Sequence, residues 1–457
     1  MMKRLASLIL AALLVLCCAG CGAERSSAEM TLATTGDSWN FGFGRRQIVL
    51  LPHDGPLYIA GYHNGVEIDD ILDYCEARAV WLDTGGEGIL LIGIDCVALD
   101  SATVAQIRSR LADIPDCAAI HVFATHTHAG FDTLGLWGPV GIDGKNDAYM
   151  EDLICAAVEA AQEAARQRKP ADMYFGQQKT YDLCEDSRNP QIFDPNLYQL
   201  RLEAKDGSAG LRMLFFGAHA ESLRGDNTAL SRDFPGQLCD GVQQRTGDDA
   251  IFCPGAIGGL IMTRELTPDP QENMQLTAQR LIEAALAISP EWEQPVAPEL
   301  AMSRTTFTIP MDNPVFLLYR FLGILGTKVV PADSATDYGV ETELSVLRLG
   351  QLAVTLIPGE IFPELVYGGV SAEGDPENLC AIAADYGIDT LLVLGLANDE
   401  IGYIVPPSDF LVHDRLPYLE RVTDHKNEDH YEETNSLGPL SATCVAQAFE
   451  AALEAMQ

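Results

Sequence analysis

The chain has 457 residues, of which 47% are hydrophobic types, so it can bury a large core and is long enough for two or three domains. Its 29 lysines and arginines stand against 66 aspartates and glutamates, which gives a formal net charge of −37. A surface this acidic repels nucleic acid and anionic lipid headgroups, so we expect neither as a partner.

The N-terminus has the organisation of a bacterial export signal. Two basic residues precede an almost wholly apolar run that ends at Cys18, and Ala19-Gly20-Cys21 follows. The run is too short for a membrane-spanning helix, and small residues before a cysteine resemble a lipoprotein processing site. We predict a lipoprotein signal peptide over residues 1–20 and lipidation of Cys21, with an ordinary cleaved signal as the alternative. Residues 21–44 are predicted to be a flexible tether that holds the chain, lipid-anchored, at the extracytoplasmic face of the cell membrane.

Cysteine usage argues against both a disulfide framework and a thiolate metal site. Three of the twelve cysteines belong to the predicted signal, and the others are an odd number scattered singly between Cys75 and Cys444. The part of the sequence after the signal has no CxxC pair, the spacing typical of thiolate zinc sites.

Short apolar runs bounded by turn residues predict strands, and longer periodic segments predict helices. The predicted strands are Gln47–Leu51, Ala77–Leu82, Gly88–Ile94, Ile120–Ala124, Met173–Gly176, Tyr198–Glu203, Arg212–Gly217, Leu344–Leu349, Leu352–Ile357 and Leu391–Leu396. The predicted helices are Ser101–Ile114, Ala148–Arg168, Pro270–Ile288 and Ser441–Met456, with Ser101 and Ser441 as N-caps. This alternation predicts an α/β (mixed α+β) fold with central mixed sheets flanked by helices. The proline-containing segment Ser289–Glu299 is a candidate boundary between two lobes.

Four of the apolar runs lead into residue types that bind metal ions. One continues into His126-Thr127-His128, and in an extended segment residues two apart share a face. The other three lead to His219, to Pro358-Gly359-Glu360 and to the segment from Asn398 to Tyr403. Because α/β sheets bind ligands beyond the carboxyl ends of their strands, we predict a metal site where these ends meet. Two histidines and one carboxylate would hold zinc with an open coordination position.

Each of these features also has an ordinary structural explanation. A strand-end histidine is commonly a hydrogen-bonded structural residue, and Pro-Gly-Glu commonly forms only a turn. Asp95 and Asp233 are candidates to hold a ligand imidazole, or else to act locally at a strand end and a turn. The apolar segment Pro314–Leu325 is too short to cross a bilayer and is expected to form either a buried helix or an exposed lid beside the membrane.

The order of these motifs resembles the neutral/alkaline, non-lysosomal ceramidase family. The resemblance runs from about Tyr58 to Pro439. Its motifs are Tyr58-Ile59-Ala60-Gly61-Tyr62, Ala124-Thr125-His126-Thr127-His128-Ala129-Gly130, Phe216-Gly217-Ala218-His219 followed by Ser231-Arg232-Asp233-Phe234-Pro235-Gly236, Ile357-Pro358-Gly359-Glu360, Asn398-Asp399-Glu400-Ile401-Gly402-Tyr403 and Tyr431-Glu432-Glu433-Thr434-Asn435-Ser436. Any one of them is unspecific, and their occurrence together in this order carries the resemblance.

The resemblance implies a zinc-dependent amidohydrolase with one catalytic domain over residues 45–457. Its implied zinc ligands are His126, His219, Glu360 and Tyr403, and its implied reaction-centre residues are His128, Arg188 and Tyr431. Water activated by Zn²⁺ would cleave the amide bond of an N-acyl lipid. His128 would act as general acid/base, and Tyr431 and Arg188 would donate to the developing oxyanion.

The chain departs from the family pattern in two respects. Gly255 stands where the ceramide-cleaving members have a serine, and the sequence is expected to lack the C-terminal immunoglobulin-like domain of the larger members. Two other functions stay open from the residues alone. One is a zinc hydrolase of a different amide, an ester or a phosphoester, and the other is a non-catalytic surface lipoprotein that binds a small-molecule ligand.

Overall fold

A computed structural model describes residues 26–49, 55–180, 182–332, 337–370, 372–424 and 427–457. The predicted signal peptide and Cys21 lie outside these residues. Within the described ranges, no helix combines the length and apolar character needed to span a bilayer. The cysteines in those ranges form no disulfide.

Strands make up most of the regular structure of the described residues. In chain order they are β1 (Ser27–Thr35), β2 (Trp39–Gln47), β3 (Asp70–Ile71), β4 (Glu76–Asp83), β5 (Gly88–Ile94), β6 (Cys117–Ala124), β7 (Lys169–Lys179), β8 (Cys184–Glu185), β9 (Asn196–Ala204), β10 (Leu211–Phe216), β11 (Ala229–Leu230), β12 (Asp249–Pro254), β13 (Met262–Thr263), β14 (Gln294–Val296), β15 (Glu299–Pro310), β16 (Val329–Pro331), β17 (Tyr338–Leu349), β18 (Leu352–Leu356), β19 (Glu360–Ile361), β20 (Thr390–Leu394), β21 (Tyr403–Ile404), β22 (Val422–Thr423) and β23 (Asp429–His430).

The helices are interspersed with these strands along the chain. They are α1 (Ser101–Arg110), α2 (Asp147–Arg166), α3 (Asp233–Thr246), α4 (Pro270–Ala287), α5 (Pro314–Phe321), α6 (Pro363–Tyr367), α7 (Leu379–Asp385) and α8 (Ser441–Glu454). Two short 3₁₀ turns, Pro407–Asp409 and Glu432–Asn435, lie in the last quarter of the chain.

Two mixed sheets organise the molecule, so the predicted mixed α+β class is confirmed. The nine-stranded sheet has the order β12-β10-β9-β7-β2-β4-β5-β6, with β14 paired to β7. The six-stranded sheet has the order β1-β15-β17-β18-β20, with β16 paired to β17. The pairs β5–β6, β10–β12 and β18–β20 are parallel.

The two sheets pack face to face, and helices cover their outer faces. Side chains from both sheets, such as Trp39 and Leu347, form one shared buried cluster. On the outer face of the nine-stranded sheet, a Cβ at Gly42 would lie 1.9 Å from the carbonyl oxygen of Ala164, so only glycine lets α2 approach β2 this closely. The hydroxyl of Ser303 on β15 donates to the carbonyl of Ala452 on α8 at 2.7 Å.

The nine-stranded sheet curls until its two ends meet. Nη1 of Arg78 on β4 donates to the carbonyl of Ala250 on β12 at 2.8 Å. β5 and β12 are also close to each other, since a Cβ at Gly93 on β5 would lie 3.3 Å from Cδ1 of Ile251 on β12. The curl brings the carboxyl ends of β6 and β10 to a common rim, although the two strands are far apart in the strand order.

The predicted tether is wrong for the part of it that the structure describes. β1 pairs with β15 along its length, and Trp39 and Phe41 of β2 are each only 1% exposed. The small polar residues of β1 form an edge strand, whose side chains need little apolar character because most of them face solvent. The N-terminal segment is therefore part of the fold from Ser27 onward.

The predicted helices all exist, with different ends. Asp100, and not Ser101, caps α1 by accepting a hydrogen bond from the backbone N–H of Thr103 at 2.8 Å. Ser441 is the first residue of α8, and its hydroxyl donates to the carbonyl of Gly438. The strand predicted from residue 47 onward instead ends at Gln47. The prediction missed α3, α5 as a surface helix, and the short helices α6 and α7.

The interpretation of Pro314–Leu325 as a buried helix is wrong. Its helix, α5, contains no buried residue. Leu318, Phe321 and Leu322 are 48%, 70% and 55% exposed. The alternative expectation of an exposed segment holds for this helix, because no other element of the described residues covers its outer face.

Candidate metal centre

Two loops at the rim of the nine-stranded sheet carry the central histidines. His126 lies directly beyond β6, and His219 lies directly beyond β10. A parallel bridge between Thr127 and Ala220 joins the loops, and the N–H of His128 donates to the carbonyl of Ala220 at 2.9 Å. His126 has a φ of 65°, a conformation that costs about 1–3 kcal/mol and persists only where the surroundings enforce it.

The short strands β19 and β21, which follow β18 and β20 of the six-stranded sheet along the chain, carry a carboxylate and a phenol to the same rim. Glu360 and Tyr403 are direct partners in the short parallel pair β19–β21, and both are buried. Gly402, just before Tyr403, has a φ of 81°, and a Cβ there would lie 1.9 Å from the carbonyl oxygen of Asn435. Only glycine fits at this position, and it sets Tyr403 beside Glu360.

The histidines and Glu360 converge on one point. Oε2 of Glu360 lies 2.9 Å from Nε2 of His219 and 3.5 Å from Nε2 of His126. Nε2 of His128 lies 3.1 Å from Nε2 of His126. Residues from before and after Ser289–Glu299 therefore share one site, as predicted.

Hydrogen bonds to backbone carbonyls fix the orientation of two of the imidazoles. Nδ1 of His126 lies 2.7 Å from the carbonyl oxygen of Val97, and Nδ1 of His219 lies 3.0 Å from that of Ile261. A carbonyl only accepts, so each Nδ1 carries a proton and each Nε2 is turned toward the Glu360 carboxylate. Each Nε2 either presents a lone pair to a metal ion or carries a proton that it donates to Glu360, and in both cases a positive charge faces the carboxylate.

The donor set fits a divalent metal ion. Bonds of roughly 2.0–2.2 Å to nitrogen and oxygen place two ligands of one ion about 3–3.5 Å apart, as these atoms are. His126, His128 and His219 also have ligand atoms within 4.8 Å of one another, so a three-histidine set is the alternative arrangement. His128 differs from the other two because its buried Nδ1 has no hydrogen-bond partner among the described residues.

Glu221 and Tyr62 extend the site behind His128. Oε2 of Glu221 lies 3.6 Å from Nδ1 of His128 and accepts a hydrogen bond from the Tyr62 hydroxyl at 2.5 Å. A Cβ at Gly61 would lie 2.6 Å from Cγ of His128, so glycine allows this loop to pack on the imidazole. The prediction missed Glu221, although its His219-Ala220-Glu221 spacing repeats the alternation of His126-Thr127-His128.

Burial and mutual charge set the protonation of the cluster. Burial alone would raise the pKa of the Glu360 carboxyl, but the charges and hydrogen bonds of His126 and His219 hold it well below its usual range. Burial, together with the two neighbouring imidazoles, lowers the pKa of His128 well below that of free histidine. Burial and then the charge of Glu360 raise the pKa of Tyr403. At neutral pH, Glu360 is an anion and His128 is neutral.

Tyr431 lies beside Tyr403, with 6.2 Å between the ring centroids. The guanidinium of Arg421 stacks over its ring at 4.6 Å. Burial and the charge of Glu360 raise the pKa of Tyr431 to about 12, so its hydroxyl keeps its proton at neutral pH.

Arg188 is engaged by carboxylates and not by the histidines. Its Nη1 donates to Asp409 at 2.6 Å, and its Nη2 donates to Glu432 at 2.7 Å and to Glu433 at 2.9 Å. These two glutamates directly follow Tyr431 in the chain. The contacts of Arg188 therefore fix the segment that carries Tyr431.

Asp95 and Asp233 do not hold a ligand imidazole. They act locally, which was the other role predicted for them. Asp95 accepts from the backbone N–H of Glu76 at 2.9 Å and from the hydroxyl of Thr125 at 3.1 Å. Asp233 accepts from the backbone N–H groups of Leu223 and Phe234 at 3.1 and 2.6 Å. The ligand imidazoles are held by backbone carbonyls instead.

The backbone around Gly255 leaves little room for a side chain. A Cβ at Gly255 would lie 3.1 Å from Cα and 3.2 Å from N of Gly217. Gly258 is the residue that packs against the ligand strand, since its N–H donates to the carbonyl of Ile361 at 2.9 Å. A Cβ there would lie 2.7 Å from the carbonyl oxygen of Glu360, so no side chain fits at the position of Gly258.

Two packed mixed sheets with imidazoles and carboxylates at a common rim place the chain in the neutral ceramidase fold. The neutral ceramidase from Pseudomonas aeruginosa aligns with a TM-score of 0.71 over 92% of this chain and 75% of that chain, at 17% sequence identity. A second solved structure, a ceramidase complexed with C2, aligns with a TM-score of 0.68 over 91% of this chain and 75% of that chain, at 16% identity. No protein-family model and no curated protein sequence matches the chain. The resemblance found in the motifs is thus confirmed at the level of the fold.

Proposed function

We propose that the protein is a zinc-dependent hydrolase that cleaves the amide bond of an N-acyl lipid. The observation that carries this proposal is the convergence of Nε2 of His126, Nε2 of His219 and Oε2 of Glu360, with separations from Glu360 of 2.9 and 3.5 Å. The fold, shared with solved ceramidases, supports the choice of an amide and of a lipid substrate.

His126, His219, Glu360 and Tyr403 are the proposed zinc ligands. A divalent ion held there supplies a Lewis acid that polarises a carbonyl and lowers the pKa of water. Tyr403 is the least usual ligand type in this set. Its support is its pairing with Glu360 in the β19–β21 ladder.

His128 is the proposed proton carrier. Its neutral imidazole presents Nε2 toward the centre, where it takes a proton from the attacking water and returns it to the amine that leaves. Glu221 faces its Nδ1 and stabilises the imidazolium that forms in between. The protonated hydroxyl of Tyr431 donates to the oxyanion, and Arg188 contributes by holding the Tyr431 segment through Glu432 and Glu433.

The proposed location is the extracytoplasmic face of the cell membrane, with a lipid on Cys21. Its support is the basic, apolar and small-residue pattern that ends at Cys21. Mass spectrometry of the N-terminal peptide from cells that express the full chain tests it. An acylated N-terminus at Cys21 is expected, and a free N-terminus at another residue would show an ordinary cleaved signal.

The function is tested by turnover on a matched panel. Zinc-loaded protein is assayed with fluorescent N-acyl-sphingosine, N-acyl amino acids and carboxylic and phosphate esters of similar chain length, with His126→Ala as control. Turnover of N-acyl lipids that is lost in the control is expected. Hydrolysis of esters alone would replace the amide assignment with the ester alternative, and zinc-free protein with no turnover of any substrate would favour a ligand-binding lipoprotein.

A further inference from the structure

The outer face of α5 carries three exposed apolar side chains in the described part of the chain. Leu318, Phe321 and Leu322 are spaced three and four residues apart, so they share one face of the helix. The inner face packs against the protein. The ring of Phe316 lies so close to Gly402 that a Cβ at that glycine would be 3.4 Å from Cζ of Phe316. The helix is thus firmly seated while its outer face meets solvent, and contiguous apolar surface of this kind marks an interaction site.

A neighbouring loop extends this apolar surface. Val140 and Ile142 are 85% and 60% exposed. Nζ of Lys145, which ends the loop, donates to the carbonyls of Leu134 and of Ile324, just beyond α5. The base of the loop and Ile324, beyond the end of α5, are therefore held together.

The N-terminus of the described chain lies at the same end of the six-stranded sheet as α5. Ser27, at the start of β1, pairs with Thr306 near the end of β15, and β15 runs on to Pro310 and then into α5. The backbone N–H groups of Asp312 and Asn313 donate to the carbonyl of Leu437 at 2.9 and 3.1 Å, which fixes this junction. A lipid on Cys21, as proposed above, would be separated from Ser27 by at most about 20 Å of chain and would hold the end of the molecule with α5 nearest the membrane.

Charge distinguishes this surface from the rest of the molecule. The segment 311–332 has two basic residues, Arg320 and Lys328, and the single acidic residue Asp312, in a chain with a net charge of −37. Two copies of so acidic a chain repel each other, which disfavours self-association through this face. Lys328 is paired with Glu341, so Arg320 is the cation beside this apolar face. Such a face suits the interface of a bilayer, where apolar side chains enter the acyl boundary and a cation meets phosphates.

We propose that the outer face of α5 and the loop tip at Val140 and Ile142 rest on a phosphatidylcholine-like, zwitterionic bilayer. This contact goes beyond the proposed hydrolase function and does not depend on it. Asn313, which caps α5, also donates through Nδ2 to the carbonyl of Ser436, close to Tyr431. Bilayer contact at α5 therefore places the rim of the metal centre next to the membrane surface.

Brominated-lipid quenching of the full chain in phosphatidylcholine vesicles tests the contact without any turnover. The variant Phe321→Trp adds a reporter at an exposed position, so folding is preserved, which circular dichroism checks. The emission added by the substitution is expected to be more than halved by bromine in the acyl chains. Native Trp292 is 70% exposed beyond the opposite end of β15 at Glu299, and its emission, taken as the difference between the wild type and Trp292→Phe, is the internal control that is expected to be unaffected.

Two results would overturn the proposal. Added emission that bromine leaves unchanged in vesicle-bound protein would show that α5 does not meet the bilayer. Added emission that is already blue-shifted and shielded from aqueous iodide without vesicles would show that another segment of the chain covers this face. Neither result bears on zinc binding or hydrolysis.

Discussion

Nε2 of His219 lies 2.9 Å from Oε2 of Glu360, although 141 positions separate the two residues in the chain. His219 follows β10 of the nine-stranded sheet, and Glu360 begins β19, just beyond β18 of the six-stranded sheet, so this contact ties the rims of the two sheets together. Because Nδ1 of His219 donates to a backbone carbonyl, Nε2 is the atom that faces Glu360 and is available to a metal ion. The candidate metal centre is therefore a link between the two halves of the fold.

The first prediction concerns the ligand set. His126→Ala and His219→Ala are expected to lose stoichiometric zinc, whereas His128→Ala is expected to keep it, because Glu360 and Tyr403 complete the set without His128. Zinc per chain is measured by atomic absorption after gel filtration, with the exposed His63→Ala as the matched control. Equal loss of zinc in His128→Ala and His126→Ala would establish the three-histidine set instead.

The second prediction concerns Glu221. Glu221→Gln is expected to lower kcat about 10- to 100-fold with little change in KM or zinc content, because groups that orient a site residue have effects of this size. Tyr62→Phe removes the hydrogen bond to Glu221 and is expected to show a smaller loss of the same kind. Steady-state kinetics and metal analysis of both variants check this. Loss of zinc in parallel with activity would show that Glu221 acts on the metal ligands and not on His128.

The third prediction separates a structural from a catalytic role for Arg188. Arg188→Met leaves three carboxylates without their cation and is expected to lower the free energy of unfolding by roughly 3–5 kcal/mol. Arg304→Met is the control, because the pair of Arg304 with Glu29 is exposed and contributes about 1 kcal/mol or less. Denaturant titration measures both. Unchanged stability with abolished turnover would return Arg188 to the role of oxyanion donor.

The fourth prediction concerns the glycine before Tyr403. Gly402→Ala is expected to destabilise the protein and to lower its zinc affinity, because the new Cβ would collide with the carbonyl oxygen of Asn435. Gly374→Ala is the matched control, since Gly374 also has a positive φ but nothing lies within 4 Å of its Cβ position. The control is expected to lose about 1 kcal/mol from backbone strain alone. Similar losses in the two variants would show that the contact with Asn435 is unimportant.

The fifth prediction is a pH dependence of stability. Burial raises the pKa of the Asp399 carboxyl to about 7, although the backbone N–H groups of Glu400 and Ser101 donate to it. A folded-state pKa above the unfolded value of about 3.9 means that the folded state binds the proton more tightly, so this stabilisation is complete below about pH 4 and is lost as the pH rises through 7. Asp399→Asn removes the titration. Unfolding free energies of the variant and the wild type are expected to converge or cross as the pH rises from about 5 to 8, and parallel curves would contradict the assignment.

Some of the site follows from the sequence because strands and their ends are local features. His126, His219 and Glu360 each follow an apolar run, and the carboxyl ends of such strands share a rim, so their convergence was predictable. The approach of Glu221 to His128 was not predictable, because it depends on the curl of the nine-stranded sheet. That curl rests on contacts such as Arg78 with Ala250, which no local pattern encodes.

The errors in the fold have a common physical origin. The composition of Ser27–Thr35 is that of a linker, and this segment becomes a strand only because β15 offers it a partner edge. The composition of α5 is that of a core helix, and this helix stays exposed because no element lies over it. In both cases the outcome depends on the presence or absence of a distant neighbour.

The division of the ligands between two sheets has a consequence for the order of assembly. A partly folded chain that has formed only the nine-stranded sheet offers imidazoles but lacks the anionic side chain of Glu360 and the phenol of Tyr403, so it holds a metal ion weakly. The free energy of metal binding is then gained only by molecules in which both sheets have docked. Metal uptake at the proposed site would thereby be a late event in the maturation of this protein, and a bound ion would distinguish completed molecules from intermediates.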